Sequence, residues 1–310
     1  MAPNSDQKAQ SAGTIPAGDA TPEDRTPRAE YHFVKPVRWS WWISGAIVAL
    51  IAAALGEFLV TGRNWQWDVV AEYLFHPDIL AGLRNTVILT VTCAVTGLFM
   101  GAIVAYLRMS ANPVFRAVGA AYIWFIRAIP ALVLLLFIFF LAALLPRISI
   151  GLPFLPPFAT VPTNSLISKS TAAILGLTLI QGAYIGEIYR GGLLSVPHGQ
   201  LEAARSMGMT NWQAMRRVVV PQCIRVVIPP LGNEMITLFK NTSLVFVIGY
   251  TELLTTVQLI YGESYQTIPL LVVACVWYLA LTSLAMLGQR QLEKRFGKGF
   301  RAITSVGGRR

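Results

Sequence analysis

Charge is the first scarcity in this chain. Asp, Glu, Lys and Arg together make up 13% of its 310 residues, against about a quarter in ordinary soluble proteins. Apolar residues, 55% of the total, are gathered into blocks, and mean hydropathy is +0.56. Such a balance excludes a soluble globular domain and points to helices that face lipid. Histidine is nearly absent: His32, His76 and His198 lie too far apart for a metal site or a catalytic triad, which sets aside a membrane-embedded enzyme. Cys93, Cys223 and Cys275 are odd in number and fall in separate blocks. They form no disulfide framework and no metal spacing, so packing roles are expected for them. No G-x-x-x-x-G-K-[S/T] phosphate loop occurs, so any ATP must be held by another chain. The opening residues also lack the apolar stretch of a cleavable signal, which makes the first hydrophobic block an expected uncleaved anchor.

What the chain does have is a series of blocks able to cross a bilayer, which takes about 20 residues as a helix. They run 41–60, 86–107, 118–145, 171–189, about 224–250, and 268–288. The expected fold class is all-α: a polytopic membrane helical bundle of about six transmembrane helices. Residues 1–38 read as a disordered cytoplasmic tail, rich in Pro, Thr and charge. Residues 39–62 read as an N-terminal crossing led by the interfacial Trp39, Trp41 and Trp42. Residues 81–292 form the main transmembrane domain, and 293–310 a basic cytoplasmic tail. Basic and non-basic connections alternate: Lys8, Arg25, Arg28, Lys35 and Arg38 precede the first block, Arg108 and Arg116 follow the second, and 251–267 holds no Lys or Arg. Both termini are therefore expected in the cytoplasm. The net charge of +10 is explained by attraction to anionic membrane lipid, with no nucleic acid implied.

One polar stretch interrupts the apolar pattern. In 197–222, Pro197 opens and Gly208 closes a short helix, the usual Pro-first, Gly-last asymmetry. Thr210 and Gln213 have capping-box spacing and start a second helix. Trp212, Met215 and Val219 recur at helical spacing as its apolar stripe, and Pro221 is expected to end it. Ala203 and Ala204 keep one face narrow enough to enter a groove on another protein. A connector lying on the headgroups is the plainer alternative.

The run Glu202-Ala203-Ala204, Gly208, Val218-x-Val220-Pro221 resembles the EAA loop of ATP-binding-cassette importer permeases. "GLRNTVILT", "FIRAIPALVLLLFIFF", "QGAYIGEIYRGGLLSVPHGQLEAARSMGM" and "IPPLGNEMITLFKNTSLVFVIGYTELL" are similar to stretches of its polar amino acid branch, the histidine, glutamine and glutamate type, over roughly 83–292. The chain departs from that branch at Arg127-Ala128-Ile129-Pro130, where Gly-Thr-Pro commonly follows the arginine. The resemblance implies a five-helix importer core plus one extra N-terminal crossing, in the bacterial inner membrane. It implies no enzyme activity in this chain, and no cofactor bound by it, ATP and Mg belonging to partner ATP-binding subunits. It further implies a second permease subunit, identical or not, a periplasmic amino-acid-binding protein, and transport by alternating access. Glu202, Ala203, Ala204, Gly208 and Pro221 would then couple the permease to the ATPase.

Ionisable and amide groups within a bilayer cost ~2.5–3.5 kcal/mol each on insertion scales and usually face a pathway. Arg127, Glu187, Asn233 and Glu234 qualify, as do Lys240, Asn241, Thr242 and Ser243, where a break in the crossing is expected to expose backbone to a cavity. The alternatives are snorkelling of Arg127 or Lys240, and a helix-surface pair between Glu187 and Arg190. An ATP-independent secondary transporter or channel is the competing function, but no inverted repeat supports it. The sequence leaves open which amino acid is carried.

Overall fold

The computed structural model describes residues 39–151 and 157–296. The expected disordered tail 1–38 and all but the first residues of the basic tail 293–310 lie outside them. The first helix, α1 (Trp39–Thr61), has no buried residue and belongs to a separate unit of the chain. Its mean hydropathy over the most apolar window is 2.2, which suits a membrane-crossing helix.

The main unit begins with a single 3₁₀ turn, Arg63–Trp65, and a short helix, α2 (Trp67–Leu74). Next comes the longest helix, α3 (Pro77–Met109). Proline in its first turn needs no N–H partner there. α4 (Pro113–Ala128) and α5 (Ala131–Phe139) follow, then the single-turn α6 (Leu141–Leu144). The block 118–145, expected as one crossing, is thus two helices meeting at 103°. The cause is Pro130, which pushes the residue before it out of the helical region; Ile129 sits at φ −94, ψ 133. The Pro-rich connection beyond holds an antiparallel ribbon the sequence reading did not anticipate: β1 (Arg147–Ile150) pairs with β2 (Ala159–Pro162), Arg147 opposite Pro162. α7 (Thr163–Leu166) leads into α8 (Lys169–Leu194), the most enclosed of the crossing helices.

The hairpin consists of α9 (His198–Ser206) and α10 (Asn211–Ala214). α10 does not stop at Pro221 as expected. It continues through a π-helical turn, Met215–Val219, into α11 (Val220–Asn241). Pro221 stands in the first turn of α11, directly after the π-helical turn, and the helix passes through it without a break. A 3₁₀ stretch, Thr242–Ile248, follows, and the expected connection 251–267 is largely a helix, α12 (Leu253–Ser264), bent by 45° from Asn211–Ile248. The last helix, α13 (Thr267–Phe296), carries helical structure into the start of the expected tail. Among the described residues four helices are long and apolar enough to cross a membrane, up to six spans if each bent pair counts as one.

α3 and α8 pack along glycines, so their backbones come close. A Cβ on Gly101 would lie 2.5 Å from Ile185 Cγ2, and one on Gly186 would lie 2.7 Å from Val104 Cγ1. In lipid, where no hydrophobic force drives helices together, such contacts supply the association energy. One apolar core joins α3, α5, α8 and α11 through Leu89, Leu135, Leu177 and Leu238. A second joins α2, α3, α12 and α13 through Val70, Ile79, Val257 and Leu270. Cys93 and Cys223 are buried as expected; Cys275 is exposed on α13.

Candidate functional site

The hairpin is built by local chemistry. Gly208 adopts φ +79, a conformation that L side chains rarely tolerate. Its N–H donates to Arg205 O at 2.9 Å, and that of Met209 donates to Ala204 O at 3.2 Å, together a Schellman ending for α9. Thr210 and Gln213 cap each other reciprocally at the start of α10. Arg205 Nε donates to Asn211 Oδ1 at 3.1 Å and ties the two helices together. Ala204, Ala214 and Val219 are buried within the knob, while Glu202 and Ala203 face outward. The expected stripe is divided: Val219 points in, but Trp212 is 72% exposed, alongside Met207 at 78%. The tip of the hairpin therefore presents large apolar groups that its own chain does not cover.

Arg127, Glu187, Asn233 and Glu234, expected along a pathway, come together. With Tyr184, Ile188, Gly191, Val226 and Pro230 they line a cleft of about 530 Å³ among α4, α8 and α11. The guanidinium of Arg127 lies 4.9 Å from the centroid of the Tyr184 ring, a cation–π placement. Glu187 is already engaged. Arg190 binds it through two nitrogens, with Nη2 2.7 Å from Oε2, and Arg108 Nε lies 3.6 Å from Oε1. Two guanidinium groups thus face one carboxylate, so the expected pair with Arg190 is present and Glu187 adds no free negative charge to the cleft. Glu234, within electrostatic reach of Arg127, has no arginine bound to it among the described residues and is the carboxylate left unpaired among those lining this cleft.

The break at 240–243 closes on itself. Thr242 is fully buried, its hydroxyl donates to Phe239 O at 2.6 Å, and Ser243 Oγ donates to Lys240 O at 2.6 Å. Two of the last carbonyls of α11, those of Phe239 and Lys240, therefore accept from side chains of the break itself. Lys240 lines a separate cleft of about 470 Å³ between α11 and α13, with Asn233, Thr237, Gln289, Arg290 and Glu293. Asn241, half-buried at the end of α11, lines neither of these two clefts.

Sequence reasoning missed three participants. Arg108 reads as a loop charge, yet it reaches α8 beside Glu187. Gln289 crosses from α13 to Asn233. Glu252, fully buried, accepts from Thr255 N at 2.8 Å, Tyr278 Oη at 2.6 Å and Thr86 Oγ1 at 3.4 Å, joining α3, α12 and α13. It is the N-cap of α12, a place where glutamate is not among the preferred residues, so the sequence signal for it is weak. Nothing in the sequence flags the other two.

Comparison with known proteins agrees with this architecture. The family profile "Binding-protein-dependent transport system inner membrane component" matches residues 97–298. The chain is 40% identical over 272 residues to the Arginine transport system permease protein ArgU of Corynebacterium glutamicum, covering 86% of this chain and 83% of that one. It is 32% identical over 239 residues to the Probable amino-acid ABC transporter permease protein YckA of Bacillus subtilis, covering 74% and 96%. A crystal structure of an amino acid ABC transporter with histidines superposes with TM-score 0.60 at 32% identity, over 71% of this chain and 94% of that one. An ATP-independent secondary transporter or channel is not favoured by these relatives. The chain belongs to the binding-protein-dependent transport system inner membrane components: it is a multi-pass, non-enzymatic permease subunit of an ABC importer that works with separate ATPase subunits.

Proposed function

We propose that this permease moves polar amino acids, arginine first among them, inward across the bacterial inner membrane. The cleft of Arg127, Asn233 and Glu234 is its passage site. The observation that carries the reading is the meeting of opposite charges there: Arg127 suits an α-carboxylate and Glu234 suits an ammonium or guanidinium. The 40% identity to an arginine transport permease supports the choice of substrate.

In this reading both termini are cytoplasmic, and a periplasmic amino-acid-binding protein delivers substrate to the outer face. A second permease subunit completes the pore. ATP and its Mg are bound by the ATPase subunits and not by this chain. Glu202, Ala203 and Gly208 meet the ATPase; Ala204, expected among them, is buried inside the knob and packs it, and Pro221 starts the helix that carries the displacement. Support for the last step lies in the backbone: the helix that begins at Asn211 runs without a loop into α11, which bears Asn233 and Glu234. A hairpin moved by nucleotide-driven closure would carry the cleft lining with it, and only a difference in binding energy between the two arrangements can drive the switch.

The test is uptake into vesicles that contain the permease, its ATPase and its binding protein, with a panel of labelled amino acids. ATP-dependent accumulation of arginine, lost in Glu234→Gln, is the expected result. Accumulation without an ATPase, or equal arginine uptake by Glu234→Gln, would refute the proposal.

A further inference from the structure

We propose that Gln289 is a positioning residue: it sets which end of the Asn233 carboxamide faces the cleft and so makes the cleft a receiver of carboxylates. The inference rests on the amino-acid reading above and adds the residue that gives the site its polarity.

Asn233 stands on α11 shortly after two consecutive prolines, Pro229 and Pro230. Neither has an N–H, so the carbonyls of Arg225 and Val226 receive no donor four residues on. Neighbouring helices add polar contacts of their own to this stretch, at carbonyls other than those two. Gln181 of α8, fully buried, donates Nε2 to Glu234 O at 3.4 Å. From the other side Gln289 of α13 passes over Gly232, where a Cβ would lie 2.6 Å from Gln289 Cγ. Its Nε2 lies 3.0 Å from Asn233 Oδ1 and 3.3 Å from Pro229 O, and its two hydrogens go to the two nearer acceptors, Asn233 Oδ1 and Glu293 Oε1.

The direction of this relay is fixed by charge. Glu293 Oε1 lies 2.7 Å from Gln289 Nε2. An ionised carboxylate only accepts, so the NH₂ end of Gln289 must face it. That same NH₂ then demands the oxygen of Asn233. Asn233 lines both clefts; with its oxygen held toward Gln289 of α13, its Nδ2 has no acceptor among the described residues and is the end left to serve the cleft that Arg127 also lines. The cleft then offers two groups that only donate, Asn233 Nδ2 and the Arg127 guanidinium. A substrate carboxylate satisfies both. A carboxamide brings one oxygen and sets its own NH₂ against a donor.

The experiment uses the purified permease–ATPase complex without the binding protein, so that only this subunit discriminates. Bound radiolabelled L-arginine is displaced by unlabelled L-arginine or by L-argininamide. The wild type is expected to favour the acid. Gln289→Met frees Asn233 to turn, and the acid-to-amide preference falls by about tenfold, what one hydrogen bond to a charged group is worth. Glu293→Gln removes the group that orients Gln289 and lowers the same ratio, which covers the case in which Gln289→Met fails to assemble. Equal weakening of both ligands, or an unchanged preference in either variant, overturns the inference alone, since a packing role predicts no change in the ratio. A wild-type complex that holds acid and amide equally overturns the passage-site reading and the inference with it.

Discussion

Replacing Gly208 separates backbone geometry from partner contact at the hairpin. A Cβ at this position meets nothing within 4 Å, so the chain itself imposes no steric penalty. The whole intrinsic cost comes from φ +79. An L residue held there loses about 1–2 kcal/mol, with asparagine the most tolerant of them. Gly208→Ala should therefore open the Schellman ending about fivefold or more, and Gly208→Asn less, although asparagine is larger. Gly208→Pro should be worst, because it also deletes the N–H that donates to Arg205 O and cannot take a positive φ. Hydrogen exchange reads this locally: the Met209 amide, bonded to Ala204 O, should exchange fastest in the proline variant, then alanine, then asparagine. ATP-driven uptake should fall in the same order while membrane insertion stays intact. An order in which alanine outperforms asparagine would refute the conformational argument and show instead that space against the ATPase decides.

Two further outcomes follow from packing and burial. Gly101→Val should destabilise the purified protein by about 1–3 kcal/mol in thermal unfolding, since its Cβ would press on Ile185 and lie 3.1 Å from the backbone nitrogen of Gly186, which cannot yield; Gly288→Ala, with nothing within 4 Å, should be neutral or slightly stabilising. Glu252→Ala should cost about 3 kcal/mol by orphaning the Tyr278 hydroxyl and the Thr255 N–H, and Glu252→Gln clearly less, because an amide oxygen still accepts; equal losses in melting temperature would count against the network.

The parts of this protein that were legible beforehand are those whose physics is local. The Gly208 ending and the Thr210–Gln213 cap involve residues a few positions apart, so spacing alone reveals them. Proline was legible only in part. At Pro130 it breaks a crossing, whereas Pro221, in the first turn of α11, lets the helix begin and Pro229 and Pro230 lie inside it. The same residue type acts oppositely: before Pro130 the backbone of Ile129 leaves the helical region (φ −94, ψ 133), whereas at Pro229 and Pro230 the helix continues even though the carbonyls of Arg225 and Val226 lose their donors. The helical character of α12 was hidden because 251–267 carries polar residues that also suit a connection.

By itself the amino-acid order determined that the chain is solvated by lipid, that about six crossings are available, and that an EAA hairpin interrupts them. Hydropathy, capping and motif spacing are properties of contiguous residues. Only tertiary structure decided which polar groups meet. Arg108 reaches Glu187, and Gln289 reaches Asn233, across helices whose rotation is set by how closely glycines such as Gly101, Gly186 and Gly232 allow backbones to approach. That rotation chooses which side chains face the cleft and which face lipid, and the hydropathy of either helix alone does not contain it.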